Sequence, residues 1–487
     1  MPTTLAVVLP GHAVGDVAAG LLDIAQRALR DAGVDEILVP GNGVGDAPLR
    51  DPAATAAPTL PTDESVAPVL AFAADAAREG GHDRILLHRL DHALTPAAQV
   101  TAVLDALAGG APVAVPVLPV TDTITAMVDG VLGRTVDRTD VRAVCSPWGF
   151  TPDALAAAVA ASRAEGHEPD AHGSDGLTVD AALRRAGASG AAGANGAPVA
   201  AVPGLPAGAS LGDELSRRRQ ARAHPEAASL LPPLSFAVAG AEPSSECRES
   251  AGPPPRAAAV VLAAGSGTRF GAPVNKAYLP LGRETVLAHS LRRFAALPEV
   301  GSVILVIRED DRERAQRVVA EAGAPVEIVV GGDTRQASEH AALRHLIQRV
   351  GDGTVDVIAI HDSARPLTDE GLCRRVFAAA LRYGGAVPGV LRPELAVVTG
   401  DGAGLLPDVT GPLVAVQTPQ AFAAPVLLDA YAAARITGFE GTDTASVVAA
   451  HAGLAARWVP AQATNLKITF AEDLPLAELL LAEQHGA

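Results

Sequence analysis

Short apolar runs alternate with longer amphipathic stretches along most of this chain. Leu5–Leu9, Ile37–Val39, Ile85–Leu87 and Val113–Val120 read as buried strands. Between them, Asp16–Ala32 places Val17, Leu21, Leu22, Ile24 and Leu29 at helical spacing, and Ser65–Ala77 and Ala97–Ala108 also read as helices. After a break the order repeats. Ala257–Leu262, Val303–Ile307, Glu327–Val330 and Val355–Ile360 are strands, and Thr285–Leu297, Arg312–Ala322 and Ser338–Gln348 are helices. Such alternation predicts an α/β fold made twice, each copy a mostly parallel sheet with flanking helices.

The break is compositional. Ala188–Ala207 is rich in glycine, alanine and proline, and the chain stays Pro-, Ser- and Arg-rich as far as Arg256. This is linker composition, with one short helix expected near Leu211–Arg222. The Arg217–Arg219 run is read as a solvated face rather than a phosphate patch. A chain of 487 residues is long enough for two cores. The division expected is 1–205 as a first domain, 206–256 as linker and 257–487 as a second domain.

A net charge of -17 argues against a nucleic-acid binder, which needs a basic face. Cys145, Cys247 and Cys373 lie far apart without metal-ligand spacing, so reduced thiols are expected. Met1–Pro10 lacks the positive region of a signal peptide. The longest mostly apolar stretch, Val103–Val120, is interrupted by Asp105, glycines and prolines, so no membrane span is expected. The location implied is cytoplasmic.

The stretch richest in chemistry is Val260–Tyr278, V-V-L-A-A-G-S-G-T-R-F-G-A-P-V-N-K-A-Y. A strand runs into a loop carrying Gly265, Gly267 and Gly271, where backbone N–H groups can cradle an anion. Arg269 and Lys276 follow. No Gly-Lys-Ser/Thr is present, so the loop is not a Walker A motif, and its cations suit a polyphosphate better than a dinucleotide. Nucleotidyl transfer fits, because charge there builds on the α-phosphate and on departing pyrophosphate.

Four further segments follow in order: H-D-S-A-R-P (His361–Pro366), Q-T-P-Q-A-F (Gln417–Phe422), T-D-T-A-S (Thr442–Ser446) and N-L-K-I-T-F-A-E-D-L (Asn465–Leu474). With the loop, they make residues 257–487 resemble the 2-C-methyl-D-erythritol 4-phosphate cytidylyltransferases. The resemblance implies a Rossmann-like nucleotidyltransferase domain with a dimerising arm. It implies attack of a polyol phosphate on the α-phosphorus of CTP, with Mg²⁺ carried by the CTP phosphates and no metal ligand assigned to the protein. On this resemblance Arg269, Lys276 and Lys467 neutralise the reacting phosphates. Ala263, Ala264, Gly265, Gly267, Gly332, Asp333, Ser338 and Asp362 line the nucleotide site. Asp362, Thr442 and Asp443 face the acceptor. Singly, each has a structural alternative: Asp362 as the cap of a turn, Asp443 as a helix N-cap, Lys467 as a solvated lysine and His361 as a structural histidine. Two alternative functions stay open, transfer to ribitol 5-phosphate or another polyol phosphate, and a nucleotide-binding pseudoenzyme.

The chain departs from the family pattern in three places. Asn275-Lys276-Ala277 replaces Pro-Lys-Gln, and Thr444 stands where a second acid is usual. The arm of this half has Pro393 and Thr410 where a threonine and an arginine are expected. The first half carries what is missing, in Val120–Thr125 (V-T-D-T-I-T) and Thr135–Arg138 (T-V-D-R). Its Cys145–Phe150 (C-S-P-W-G-F) aligns with Q-T-P-Q-A-F, its His88–Ala93 (H-R-L-D-H-A) with H-D-S-A-R-P, and its loop Pro10–Asp16 has no cation. The expectation is a degenerate duplicate that forms an internal pseudo-dimer and donates Thr123 and Arg138 to the acceptor phosphate. One chain, without a second copy, a nucleic acid or a membrane, then suffices.

Overall fold

The computed structural model describes residues 2–9, 16–39, 41–42, 59–60, 66–89, 95, 97–120, 122–164, 199–203, 256–265, 275–392, 395–397, 404–405, 412–470 and 473–486. All of the expected linker 206–256 except Arg256 lies outside them, as do Gly267, Arg269 and Gly271 of the glycine-rich loop.

The chain forms two compact units. The first is Met1–Val120, Asp137–Pro233 and Pro393–Thr410; the second is Thr121–Val136, Leu234–Arg392 and Gly411–Ala487. Each half of the chain therefore contributes one short segment to the other half's unit.

In the first unit the elements are β1 (Thr4–Leu9), α1 (Asp16–Asp31), β2 (Glu36–Leu38), α2 (Val66–Gly80), β3 (Arg84–Arg89), α3 (Ala97–Ala108) and β4 (Val113–Pro119). The next segment, β5 (Thr123–Val128) and β6 (Val131–Val136), belongs to the second unit. The first unit resumes with β7 (Val141–Val144), β8 (Trp148–Phe150), α4 (Pro152–Ala164) and β9 (Val199–Pro203). Alternation decides the layers. Leu5, Val7 and Leu9 pack on one face with Leu70, Ala73 and Leu155, while Ala6 and Val8 pack on the other with Leu22, Leu29 and Val103.

The second unit continues with β10 (Ala257–Leu262), α5 (Val286–Ala295), β11 (Val300–Ile307), α6 (Arg312–Ala322), β12 (Val326–Val330), α7 (Arg335–Gly351), β13 (Val357–Asp362), α8 (Glu370–Tyr383) and β14 (Gly385–Leu391). Two short strands, β15 (Leu395–Val397) and β16 (Gly404–Leu405), belong to the first unit. Then come β17 (Leu413–Val416), β18 (Gln420–Ala423), α9 (Ala424–Thr437), α10 (Thr444–Ala452), β19 (Arg457–Pro460) and α11 (Asp473–Gly486). Here too the strands are buried on both faces. Ala257, Ala259 and Val261 meet Leu287, Leu291, Phe294 and Phe377, and Ala258 and Val260 meet Leu343, Leu346, Leu427 and Tyr431.

The two sheets repeat one order. Among the described residues the first runs β2-β1-β3-β8-β4-β7 and then β15; the second runs β12-β11-β10-β13-β18-β14-β17 and then β5, β6 and β19. The register is equivalent: Leu9 stands opposite Arg89 as Leu262 stands opposite Asp362.

The sheets are mixed, which corrects the mostly parallel expectation. β10 is parallel to β11 and β13, and β11 to β12. Beyond β13 the pairings with β18, β14, β17 and β5 are antiparallel. Of these later strands β17 and β18 are only four residues long, and the alternation rule reads only the strands joined by helical crossovers. Among the described residues no helix is long and apolar enough to cross a membrane.

Candidate active site

The site residues gather where β10 and β13 end, the carboxyl edge at which open α/β sheets bind ligands. β10 passes into Ala263, which is buried, and Gly265, which is exposed; its loop returns at Asn275. Asn275 ties the two ends of that loop together. Its Nδ2 donates to the Ala263 carbonyl at 2.7 Å, and its Oδ1 accepts from the Ala277 N–H at 3.1 Å. The loop thus gains a side-chain clasp where the family pattern has a proline. Lys276 is held over the last motif, its Nζ donating to the Ile468 carbonyl at 2.6 Å.

Asp362 ends β13 and is the electrostatic centre. Its Oδ2 accepts from Lys467 Nζ and its Oδ1 from Arg335 Nη1, both at 2.7 Å. Burial opposes its charge, but Arg335, Lys467 and Arg365 outweigh burial and hold the carboxyl well below the usual carboxylate range. Burial also works against the Arg335 guanidinium, and Asp362, Glu339 and Asp443 still keep it above its ordinary value.

A buried polar network fixes these groups. His361 Nε2 donates to the Arg365 carbonyl at 3.1 Å, and Thr418 Oγ1 lies 3.2 Å from His361 Nδ1 while accepting from the Asp362 N–H at 3.1 Å. Burial lowers the His361 pKa to about 4, so the ring is neutral at pH 7. Arg365, 2% exposed, donates to the Asn465 carbonyl at 2.8 Å and to Asp122 at 2.7 Å. Asn465 donates in turn to Gln417 Oε1 at 2.8 Å and to the Thr418 carbonyl at 3.0 Å. Three of the motifs picked out in sequence are thus bonded to one another.

The β12-to-α7 turn supplies Gly332, Asp333 and Ser338. Ser338 Oγ bonds both the N–H and the carbonyl of Gly332 at 3.2 Å. A Cβ on Gly332 would stand 2.6 Å from Ala337 Cβ, so the tight turn needs glycine there. Asp333 is exposed. Asp443 is the N-cap of α10: its Oδ1 accepts from the Ser446 N–H at 2.9 Å and its Oδ2 from Gln420 Nε2 at 2.9 Å. Both oxygens are spent on structure, the alternative weighed in sequence. Thr442, beside it, is exposed. Thr123 opens β5 opposite Val416, the residue before Gln417 and Thr418. Arg138 begins a short helical turn in the first unit, and its side chain lies outside the described residues.

Sequence reasoning missed Arg335, Glu339 and Arg365. Arg365 lies inside H-D-S-A-R-P and Arg335 between Asp333 and Ser338, and the signal available was a cation in each stretch beside a single acid. A groove of about 500 Å³ lined by Gly384, Val426, Asp429 and His451 touches none of these residues.

Comparison with known proteins bears on this geometry. The family model described as 2-C-methyl-D-erythritol 4-phosphate cytidylyltransferase matches residues 64–186 and 257–483, most of the chain. The chain belongs to the 2-C-methyl-D-erythritol 4-phosphate cytidylyltransferase family. The cytidylyltransferase of that name from Acidobacterium capsulatum is 36% identical over 236 residues, 46% of this chain and 97% of that protein. The one from Cereibacter sphaeroides is 39% identical over 231 residues, 47% of this chain and 98% of that protein. The crystal structure of the Thermus thermophilus cytidylyltransferase is 31% identical, covers 46% of this chain and 98% of its own, and superposes with a TM-score of 0.35. As a member of this cytidylyltransferase family the chain is a nucleotidyltransferase.

Among the described residues no three His, Cys, Asp or Glu side chains cluster to hold an ion, and Asp362 meets a cation on each oxygen.

Proposed function

We propose that the C-terminal half transfers the cytidylyl group of CTP to 2-C-methyl-D-erythritol 4-phosphate, releasing pyrophosphate and forming 4-diphosphocytidyl-2-C-methyl-D-erythritol. The observation that carries this reading is the bonding of Asp362 between Lys467 and Arg335 at the end of β13, beside Lys276. An acceptor phosphate oxygen attacks the α-phosphorus, and the bond from that phosphorus to the bridging oxygen breaks. Pyrophosphate leaves with the electron pair. The work of the protein is positioning and charge neutralisation, and no covalent intermediate is needed. Lys276, with Arg269, meets the triphosphate. Lys467 moves from Asp362 to the reacting phosphates as charge builds there. Ala264, Gly265 and Gly332 leave room for the nucleotide, and Asp362 orders the acceptor.

The two halves act as an internal pseudo-dimer, in which the first is a degenerate copy. In support, β5 and β6 pair with β17 and β19, in the manner that β15 and β16 pair with β7 and β9. The ion pair from Asp122 to Arg365 anchors the residue next to Thr123. Thr123 and Arg138 are assigned to the acceptor phosphate, since a planar guanidinium matches phosphate. The setting is the cytoplasm.

The test is pyrophosphate release by the full chain with CTP, Mg²⁺ and 2-C-methyl-D-erythritol 4-phosphate, run beside ribitol 5-phosphate. Turnover with the first acceptor is the expected result. Turnover with ribitol 5-phosphate alone would move the acceptor, and CTP binding without turnover would overturn the enzyme reading.

A further inference from the structure

The proposed reaction does not use Glu339, an acid buried in the second unit. Glu339 lies on the second turn of α7 and is 1% exposed. An acid in a core is costly unless it is paired and hydrogen-bonded. This one is. Oε1 accepts from Arg335 Nε at 2.8 Å and from Thr444 Oγ1 at 3.1 Å, and Oε2 accepts from the Tyr431 hydroxyl. The same Arg335 reaches Asp362, which holds Lys467. One chain of polar contacts therefore runs from the α9 and α10 side of the unit to the Lys467 ammonium group.

The departure at position 444 gains a meaning from this contact. Thr444 stands where a second acid is usual, and its hydroxyl donates to the buried Glu339 carboxylate at 3.1 Å. We propose that Glu339 is a positioning residue that supplies, from α7, the negative charge missing at position 444, and so fixes Arg335, Asp362 and Lys467 for transfer. The proposal rests on the cytidylyl-transfer reading for its effect on rate. The physical reason is geometric. Arg335 Nε and Nη1 are held by two acids on different elements, so the guanidinium plane has one orientation. Without the Glu339 charge, Nε keeps at most a neutral acceptor, and the Asp362 carboxylate is held by a cation freer to turn.

The experiment uses the full chain carrying Glu339→Gln, Thr444→Glu, or both. Gln keeps the size and one oxygen for Arg335 Nε and Thr444, turns its amide N–H₂ toward the Tyr431 hydroxyl, and removes the charge. In Glu339→Gln, kcat is expected to fall about tenfold with the KM for CTP within about twofold, at a melting temperature that leaves the protein folded. Adding Thr444→Glu to Glu339→Gln should restore kcat to within about threefold of wild type. Exchange of the Arg335 Nε proton, followed by NMR, gives a readout that needs no turnover. It should be slow in wild type, fast in Glu339→Gln and slow again in the double variant. That pattern in a protein that fails to release pyrophosphate would sink the reaction and keep the positioning role. Turnover by wild type with kcat unchanged in Glu339→Gln, or a loss that the second acid does not rescue, would overturn the proposal.

Discussion

In the first unit the ring of His88 meets the Ser146 hydroxyl at 2.8 Å, and the Arg89 N–H reaches the same hydroxyl at 2.9 Å. In the second unit His361 meets Thr418 at 3.2 Å, and the Asp362 N–H reaches it at 3.1 Å. The two turns share a buried histidine, a hydroxyl residue before a proline and one backbone bond. They differ in the side chain that follows the histidine, arginine in one and aspartate in the other. The shared part is read as scaffold, since it holds the turn in both units whatever side chain follows the histidine. What separates the two copies is the charge at the strand end. An anion there gathers Arg335 and Lys467; a cation there would repel them. The next pair of equivalents differs in the same direction. Gln420 bonds the Asp443 cap and the Ala445 N–H, whereas Trp148 holds that place in the first unit with its indole N–H buried and unpaired.

The most direct way to break the comparison is to copy one strand end onto the other. Asp362→Arg should lower kcat by about a thousandfold or more in the pyrophosphate assay, because it places like charge against Arg335 and Lys467. Arg89→Asp should leave kcat within about twofold, because the reaction is assigned to the second unit. Equal losses in both variants would mean that the first unit still takes part in the reaction.

A smaller effect is expected at the residues assigned to the acceptor phosphate. Thr123→Val and Arg138→Ala should each raise the KM for the acceptor about 10- to 100-fold, the worth of a hydrogen bond to a charged group, with little change in the KM for CTP. An acceptor KM that stays put in Arg138→Ala would remove that arginine from the site and leave Thr123 to stand alone.

His361 turns the shared scaffold into a pH dependence. Its folded pKa, about 4, lies below the unfolded value of 6.5, so the unfolded chain binds the extra proton between those two values. The contribution is fully present above pH 6.5 and is lost as pH falls toward 4, by about 3 kcal/mol in all. Urea melts at pH 7 and pH 5 should show this fall, and His361→Gln should flatten it. The smallest effect is the exchange of hydroxyls. Thr418→Ser, which copies Ser146, keeps both bonds and should cost about 1 kcal/mol for the buried methyl with kcat near wild type.

Much of this site could be read from the chain. The strand β10, the helices α3 and α6, and the motifs carrying Asp362, Lys276 and Lys467 were legible because apolar runs and loop chemistry are local. Arg335 and Glu339 were not, because their meaning arises only when the first turns of α7 meet the end of β13. Asp443 caps α10, the structural role that stood beside the acceptor contact in its motif. The mixed sheet escaped because β8, β17 and β18 are too short to show alternation. No periodicity marks which unit a hairpin joins, so the transfer of Thr121–Val136 and Pro393–Thr410 was visible only as missing and surplus arm residues.

That transfer also sets an order of events during synthesis. The Arg457 guanidinium bonds the Asp129 carbonyl across 328 residues of chain, and β7 finds its outer neighbour only when Leu395 has been made. A ribosome that has finished the first half has therefore released a sheet with an open edge. Such edges pair with whatever strand is near. The nascent first half must wait, protected, for the second, and a gene cut at the linker would yield two pieces that each aggregate alone and complete each other when expressed together.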